Sequence, residues 1–238
     1  MANRELTEVE KRFAKEWFDK SEIKYDVNFD DVDSLNIKFF RELIKETAYH
    51  EAGHFIARVF TGLELSHVKL ISIIPDKENL GRMRGERAFA ETCLNQMPPS
   101  VQRVQGIQLL LEIYAGYGSV MLNKSEYKSL VEYLWEEEEE AMDDDNEGFD
   151  INRAQEICEI MSRPYMPKER IHRLAQMWTM EMLRIPEVWN AVETVAEILI
   201  SKGEITREND EISNLIMTLN VTNIYRLAKW RRRIFGTR

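Results

Sequence analysis

Cysteine, histidine and proline are scarce in this chain of 238 residues. The two cysteines, Cys93 and Cys158, lie far apart without a CxxC spacing, so no disulfide framework organises the fold and a reducing compartment is expected. No Gly-Lys dipeptide occurs, which excludes a Walker A loop and nucleotide-driven work by this chain. No apolar run approaches the roughly 20 residues that cross a bilayer, and the opening MANRELTEVEKRF lacks a hydrophobic signal region. The expectation is a soluble, cytoplasmic protein with no membrane span. Excess positive charge is missing as well. With 42 acidic against 32 basic residues the net charge is -10, which disfavours non-specific nucleic-acid binding by the body of the protein. The local exception is Lys229-Trp230-Arg231-Arg232-Arg233, which is either a contact for phosphate or an acidic surface, a solvated end, or a segment that docks on its own acidic surface.

What is present is a composition 44% hydrophobic and 31% charged, enough for one well-cored domain or two small ones. Residues 5–20 place Leu6, Val9, Phe13, Trp17 and Phe18 near helical spacing and predict an amphipathic helix. An acidic, irregular stretch over 21–38 reads as a linker. A long helix then runs from Ser34 or Asn36 to Thr61, where Gly62 is placed to end it. His67–Ile74 is rich in β-branched residues and stops at Pro75, which predicts a strand; Asp76–Asn79 reads as a turn and Leu80–Met83 as a second strand. From Ser100 onward the pattern is helical, with helices predicted from Pro98-Pro99-Ser100 to about Met121, over 125–142, over 168–183 and over 187–202, and a short one capped by Thr206. Gly116 and Gly118 suit a close helix crossing. The acidic run Glu136–Glu140 with Asp143–Asp145 reads as a solvated face.

Two of the four histidines fall in one stretch, Thr47-Ala48-Tyr49-His50-Glu51-Ala52-Gly53-His54. At about 1.5 Å rise and about 3.6 residues per turn, His50 and His54 stack on one helix face and can reach one ion. This is the HExxH arrangement, in which two imidazoles ligate zinc, a third ligand comes from elsewhere, and the glutamate, here Glu51, works on metal-bound water. Leu43, Ile44, Ala48, Phe55, Ile56 and Val59 make the helix apolar over much of its circumference, so it should be buried. Inside such a helix these polar groups need partners, because an unpaired buried polar group costs about 1–3 kcal/mol. The alternative is a satisfied polar stripe in an ordinary core. Further along, Asp150, Ala154, Ile157 and Met161 share one helical stripe, so Asp150 faces the packed side. Spacing alone leaves Asp150 either a third ligand or a helix cap. His172, among basic neighbours, reads as a packing or surface residue.

TAYHEAGH followed by VKLISIIPDKENLGRM resembles the start of the peptidase domain of FtsH-type ATP-dependent zinc metalloproteases. FDINRAQEICEIM is similar to that family's third-ligand segment, and VWNAVETVAEILISKGEITREND to its C-terminal helical pair, in the same order over about residues 42–216. The resemblance implies a mainly α fold with a small β-hairpin or sheet: a helical HExxH zinc metallopeptidase domain. It implies Zn2+ held by His50, His54 and Asp150, with Glu51 as catalytic base, and a strand around 68–74 beside the cleft where an extended peptide adds by backbone pairing. The chain then divides into an N-terminal helical extension (1–40), the peptidase-like domain (41–219, with an acidic insertion near 136–147) and a basic tail (220–238). The family's ATPase is not encoded here. Where the family has Leu-Ala-Gly-Arg-x-Ala-Glu-Glu, this chain reads Tyr114-Ala115-Gly116-Tyr117-Gly118-Ser119-Val120-Met121.

The expected function is an ATP-independent zinc metallopeptidase acting on short or unfolded peptides, with no nucleotide or membrane partner and a homo-oligomer left open. Its rival is a protease-like binding or regulatory module that keeps the metal site without cleaving.

Overall fold

The computed structural model describes residues 6–20, 34–66, 68–75, 81–85, 93–124, 149–219 and 225–236. The turn at 76–79, the helix over 125–142, the acidic insertion and most of the linker lie outside them. The described residues are mainly helical with one small antiparallel sheet of three strands. None of their helices is long and apolar enough to cross a membrane.

Helix α1, Glu8–Lys20, begins with a capping box: the Thr7 amide donates to Glu10 Oε2 (2.6 Å) and the Glu10 amide to Thr7 Oγ1 (3.2 Å). Its apolar stripe buries Phe13 and Ala14, and Glu10 also accepts from Arg41 Nε at 2.6 Å, which ties α1 to the next helix. That helix, α2, spans Ser34–Thr61 as its periodicity predicts. It stops where Gly62 takes φ +85°, and the amides of Gly62 and Leu63 both return to the Arg58 carbonyl.

Strand β1 (Val68–Ser72) is central: β2 (Arg82–Gly85) pairs on one side and β3 (Glu204–Thr206) on the other, both antiparallel. The third strand departs from the sequence reading, in which Thr206 caps a helix. Instead Ile205 pairs with Ile71 and is buried, the Thr206 amide donates to Glu211 Oε2 (3.0 Å), and helix α7 starts only at Glu211, running to Thr218. With both neighbours in place, β1 has no open edge over Leu70–Ser72, so backbone addition of a peptide there is excluded. Among the described strands it is β2 that lies at an edge beside α2.

Helix α3 (Pro99–Lys124) crosses α2, and α4 (Phe149–Met161) and α5 (Lys168–Leu183) pack on its other side. It is buried without interruption from Gly106 to Met121, because its residues divide between two cores. Ile107, Leu111, Ala115 and Val120 join α2, α6 (Pro186–Lys202) and the sheet, whereas Leu110, Ile113, Tyr114 and Met121 join α4 and α5. The basic segment is a helix too, α8 (Tyr225–Phe235). Leu227, Trp230 and Ile234 form its buried stripe, Arg233 pairs with Glu181, and Arg231 Nη2 donates to the Thr61 carbonyl at 3.4 Å. The segment therefore docks on its own protein, chiefly through apolar burial.

Candidate metal centre

The crossing of α2 over α3 is closer than side chains ordinarily permit. A Cβ at Gly53 would fall 2.2 Å from the Ala115 carbonyl oxygen, and one at Gly116 would fall 2.6 Å from His54 Nε2 and 2.9 Å from His50 Cε1. Two glycines, one on each helix, thus let the backbone of α3 serve as the floor beneath the imidazoles. The side chain of Asp150, in the first turn of α4, reaches the same point.

Three donor atoms converge there. His50 Nε2 and His54 Nε2 are 2.9 Å apart, and Asp150 Oδ2 is 3.1 Å from His54 Nε2 and 3.7 Å from His50 Nε2. Tetrahedral zinc with donors at about 2.0–2.1 Å requires ligand atoms roughly 3.4 Å from one another, so the observed spacings bracket that requirement. His50, His54 and Asp150 form the group able to hold a metal ion among the described residues. Asp150 lies inside the first turn of α4 rather than before it, with one carboxylate oxygen facing the imidazoles while Oδ1 accepts from Arg153 Nη1 at 3.1 Å.

The histidine tautomer follows from the surroundings. His54 Nδ1 lies 2.9 Å from the Glu112 carbonyl, which can only accept, so Nδ1 carries the hydrogen and neutral His54 presents the Nε2 lone pair to the centre. The ring of Tyr117 packs edge-on against His50 at 4.9 Å between centroids. Charges complete the picture. Burial disfavours ionised Asp150, yet the neighbouring imidazoles, His54 foremost, and the Arg153 guanidinium outweigh it and hold the carboxyl well below the usual range. Burial pulls the His54 pKa down, and the Asp150 carboxylate more than reverses this.

Glu51 sits one residue from His50 and is 4% exposed. Burial, with a smaller push from Asp150 and an opposing pull from His50, drives its pKa up to about 8, and its Oε2 has no hydrogen-bond partner among the described residues. A Cβ at Gly81 would meet Thr47 Cγ2 at 2.4 Å and Glu51 Oε1 at 3.0 Å, so the chain entering β2 passes directly over this carboxylate. A buried carboxyl without a full set of partners is costly, and such groups concentrate at reactive centres.

All the residues singled out in the sequence for this centre, His50, Glu51, His54 and Asp150, are brought together. His172 is not part of it: its Nδ1 bonds the Tyr114 hydroxyl, between α5 and α3. Sequence reading passed over Arg58 and Glu112, whose guanidinium and carboxylate pair in two-pronged fashion at 2.9–3.0 Å. Their signal was available, since each is a lone charge within an otherwise apolar helical run and a buried charge requires a partner. No protein-family model matches the chain, and no curated protein is significantly similar to it.

Proposed function

We propose that this protein is a zinc-dependent, ATP-independent metallopeptidase, with His50, His54 and Asp150 as ligands and Glu51 as general base. The observation that carries the reading is the convergence of the three donor atoms within 4.8 Å of one another, beside a buried carboxyl with an unpartnered oxygen. The donor set of two imidazoles and one carboxylate suits zinc, with room for a further ligand. A zinc ion held there would supply Lewis acidity, polarising a scissile carbonyl and acidifying water. Glu51 accepts the proton of the attacking water and returns it to the departing amine. Fixed by the Glu112 carbonyl, His54 need not reorient to present its lone pair. Arg153, by holding Oδ1, keeps the other oxygen of Asp150 aimed at the centre.

The substrate is an extended peptide laid along the outer edge of β2, whose entry at Gly81 borders Glu51. With no nucleotide-driven motor in this chain, short or unfolded peptides are the substrates.

A second reading, a binding or regulatory module that keeps the metal without cleaving, draws on α3. There Val120 and Met121 are buried in the core where the resembled family carries two glutamates. Purified protein loaded with zinc and offered a peptide library, alongside Glu51→Gln, separates the two. Cleavage by the native chain that drops at least about 100-fold in Glu51→Gln supports the peptidase. Tight zinc binding without cleavage by either protein supports the module, and equal cleavage by both removes Glu51 from the mechanism.

A further inference from the structure

Arg58 and Glu112 are 5% and 2% exposed, and they join the two helices that meet at the metal centre. Arg58 Nε and Nη2 donate to Glu112 Oε1 at 3.0 and 2.9 Å, Nη2 also reaches Oε2 at 3.0 Å, and Nη1 donates to the Glu64 carbonyl at 3.0 Å. For cohesion alone this is a poor choice, because desolvating two charges offsets much of their attraction and a well-packed apolar pair holds two helices at least as firmly. What an apolar pair does not fix is register, because it tolerates sliding.

Register is what this centre needs. Arg58 lies one helical turn beyond His54 on α2, and Glu112 lies one turn before Gly116 on α3. The same residue, Glu112, supplies the carbonyl that accepts from His54 Nδ1. Sliding α3 by one residue would replace Gly116 with Ala115 or Tyr117 beneath the imidazoles, where even a Cβ would fall 2.6 Å from His54 Nε2. The third ligand has an arginine of its own, because Arg153 Nη1 donates to Asp150 Oδ1 at 3.1 Å. One arginine–carboxylate pair thus joins α2 to α3, and a second, within α4, holds the third ligand.

We propose that Glu112 is a positioning residue for the metal centre. Clamped by Arg58, it locks the register of α3 against α2 and holds the His54 imidazole in its Nδ1–H tautomer through its own carbonyl. The inference rests on the metal-site reading above, but it concerns metal affinity rather than turnover.

The test compares zinc affinity of the full chain, measured by competition with a chromophoric chelator, in the native protein, Glu112→Gln, and the double replacement Arg58→Met with Glu112→Leu. Folding of each metal-free protein is followed by circular dichroism, and the His54 tautomer by long-range 15N correlation in the imidazole ring. Glu112→Gln is expected to bind zinc about 10–100-fold more weakly, the range for removal of groups that orient metal ligands. The double replacement is expected to melt at or above the native temperature while showing a similar loss of zinc and a mixed His54 tautomer. Native zinc affinity and a single tautomer in the double replacement would overturn the proposal and leave the ion pair a purely structural contact. Should the double replacement fail to fold, native affinity in the nearly isosteric Glu112→Gln would overturn it equally. If the native chain itself binds no zinc, the metal-site reading falls and takes this inference with it, a result distinct from the others.

Discussion

Gly116→Ala puts one methyl group beneath the two imidazoles, and its cost can be worked from the structure. The new Cβ would lie 2.6 Å from His54 Nε2, 2.7 Å from His54 Cε1 and 2.9 Å from His50 Cε1. Relaxed contact needs roughly 3.5 Å, so the rings or the helix must retreat by about 0.6–0.9 Å. Metal–donor distances tolerate only about 0.2 Å, so zinc affinity should fall by about 10–100-fold. Folding is affected less. Alanine gains about 1 kcal/mol over glycine inside a helix, against about 1–3 kcal/mol for overpacking. The net loss of 0 to about 2 kcal/mol corresponds to a fall in Tm of no more than about 8 °C for a chain of this size. Gly118→Ala on the same helix is the control: its Cβ would meet side chains of α5, Leu183 Cδ1 at 2.9 Å and Met180 Sδ at 3.2 Å, with neither imidazole among its nearest neighbours. Chelator competition and melting in EDTA would be run on both variants. Native zinc affinity in Gly116→Ala, or equal weakening in both, would refute the reasoning.

Glu51 sets a pH dependence in the metal-free protein. Its folded pKa of about 8 stands above the ordinary 4.5, so the associated stability is intact below pH 4.5 and is lost as pH rises toward 8. That gap corresponds to about 5 kcal/mol, so Glu51→Gln in EDTA should melt higher than the native chain by a margin that widens from pH 5.5 to pH 8. A margin independent of pH would exclude a raised pKa. Trp230→Ala, at a residue 6% exposed on α8, should cost about 3–5 kcal/mol and lower Tm by roughly 10 °C, whereas a tail that contributes nothing to the core would leave the melt unchanged. Burial pushes the Cys158 thiol up to about 12, so the folded protein should leave Cys158 unmodified by iodoacetamide at pH 8 and expose it only on denaturation, as peptide mass mapping would reveal.

The long helix with its histidine pair was legible because its signals are local: apolar spacing, a four-residue interval and a glycine positioned to stop it. Asp150 was legible only as a polar residue on a packing stripe, and whether it capped or ligated depended on which helix lay opposite. The third strand escaped because three residues with one buried member, Ile205, carry no alternation to detect, and its identity comes from pairing with the distant Ile71. Gly116 announced a close crossing but not what it would approach. Arg58 and Glu112 were readable one at a time as charges that need partners, but their mutual pairing is a property of the α2–α3 crossing and of no local pattern.

The central claim is that His50, His54 and Asp150 hold one metal ion, and zinc stoichiometry tests it most directly. The purified full chain, loaded with zinc and dialysed against metal-free buffer, should retain one equivalent by elemental analysis, and His54→Ala should retain none while keeping its helical circular dichroism. Absence of zinc from the native chain, or one equivalent retained by His54→Ala, would contradict the account.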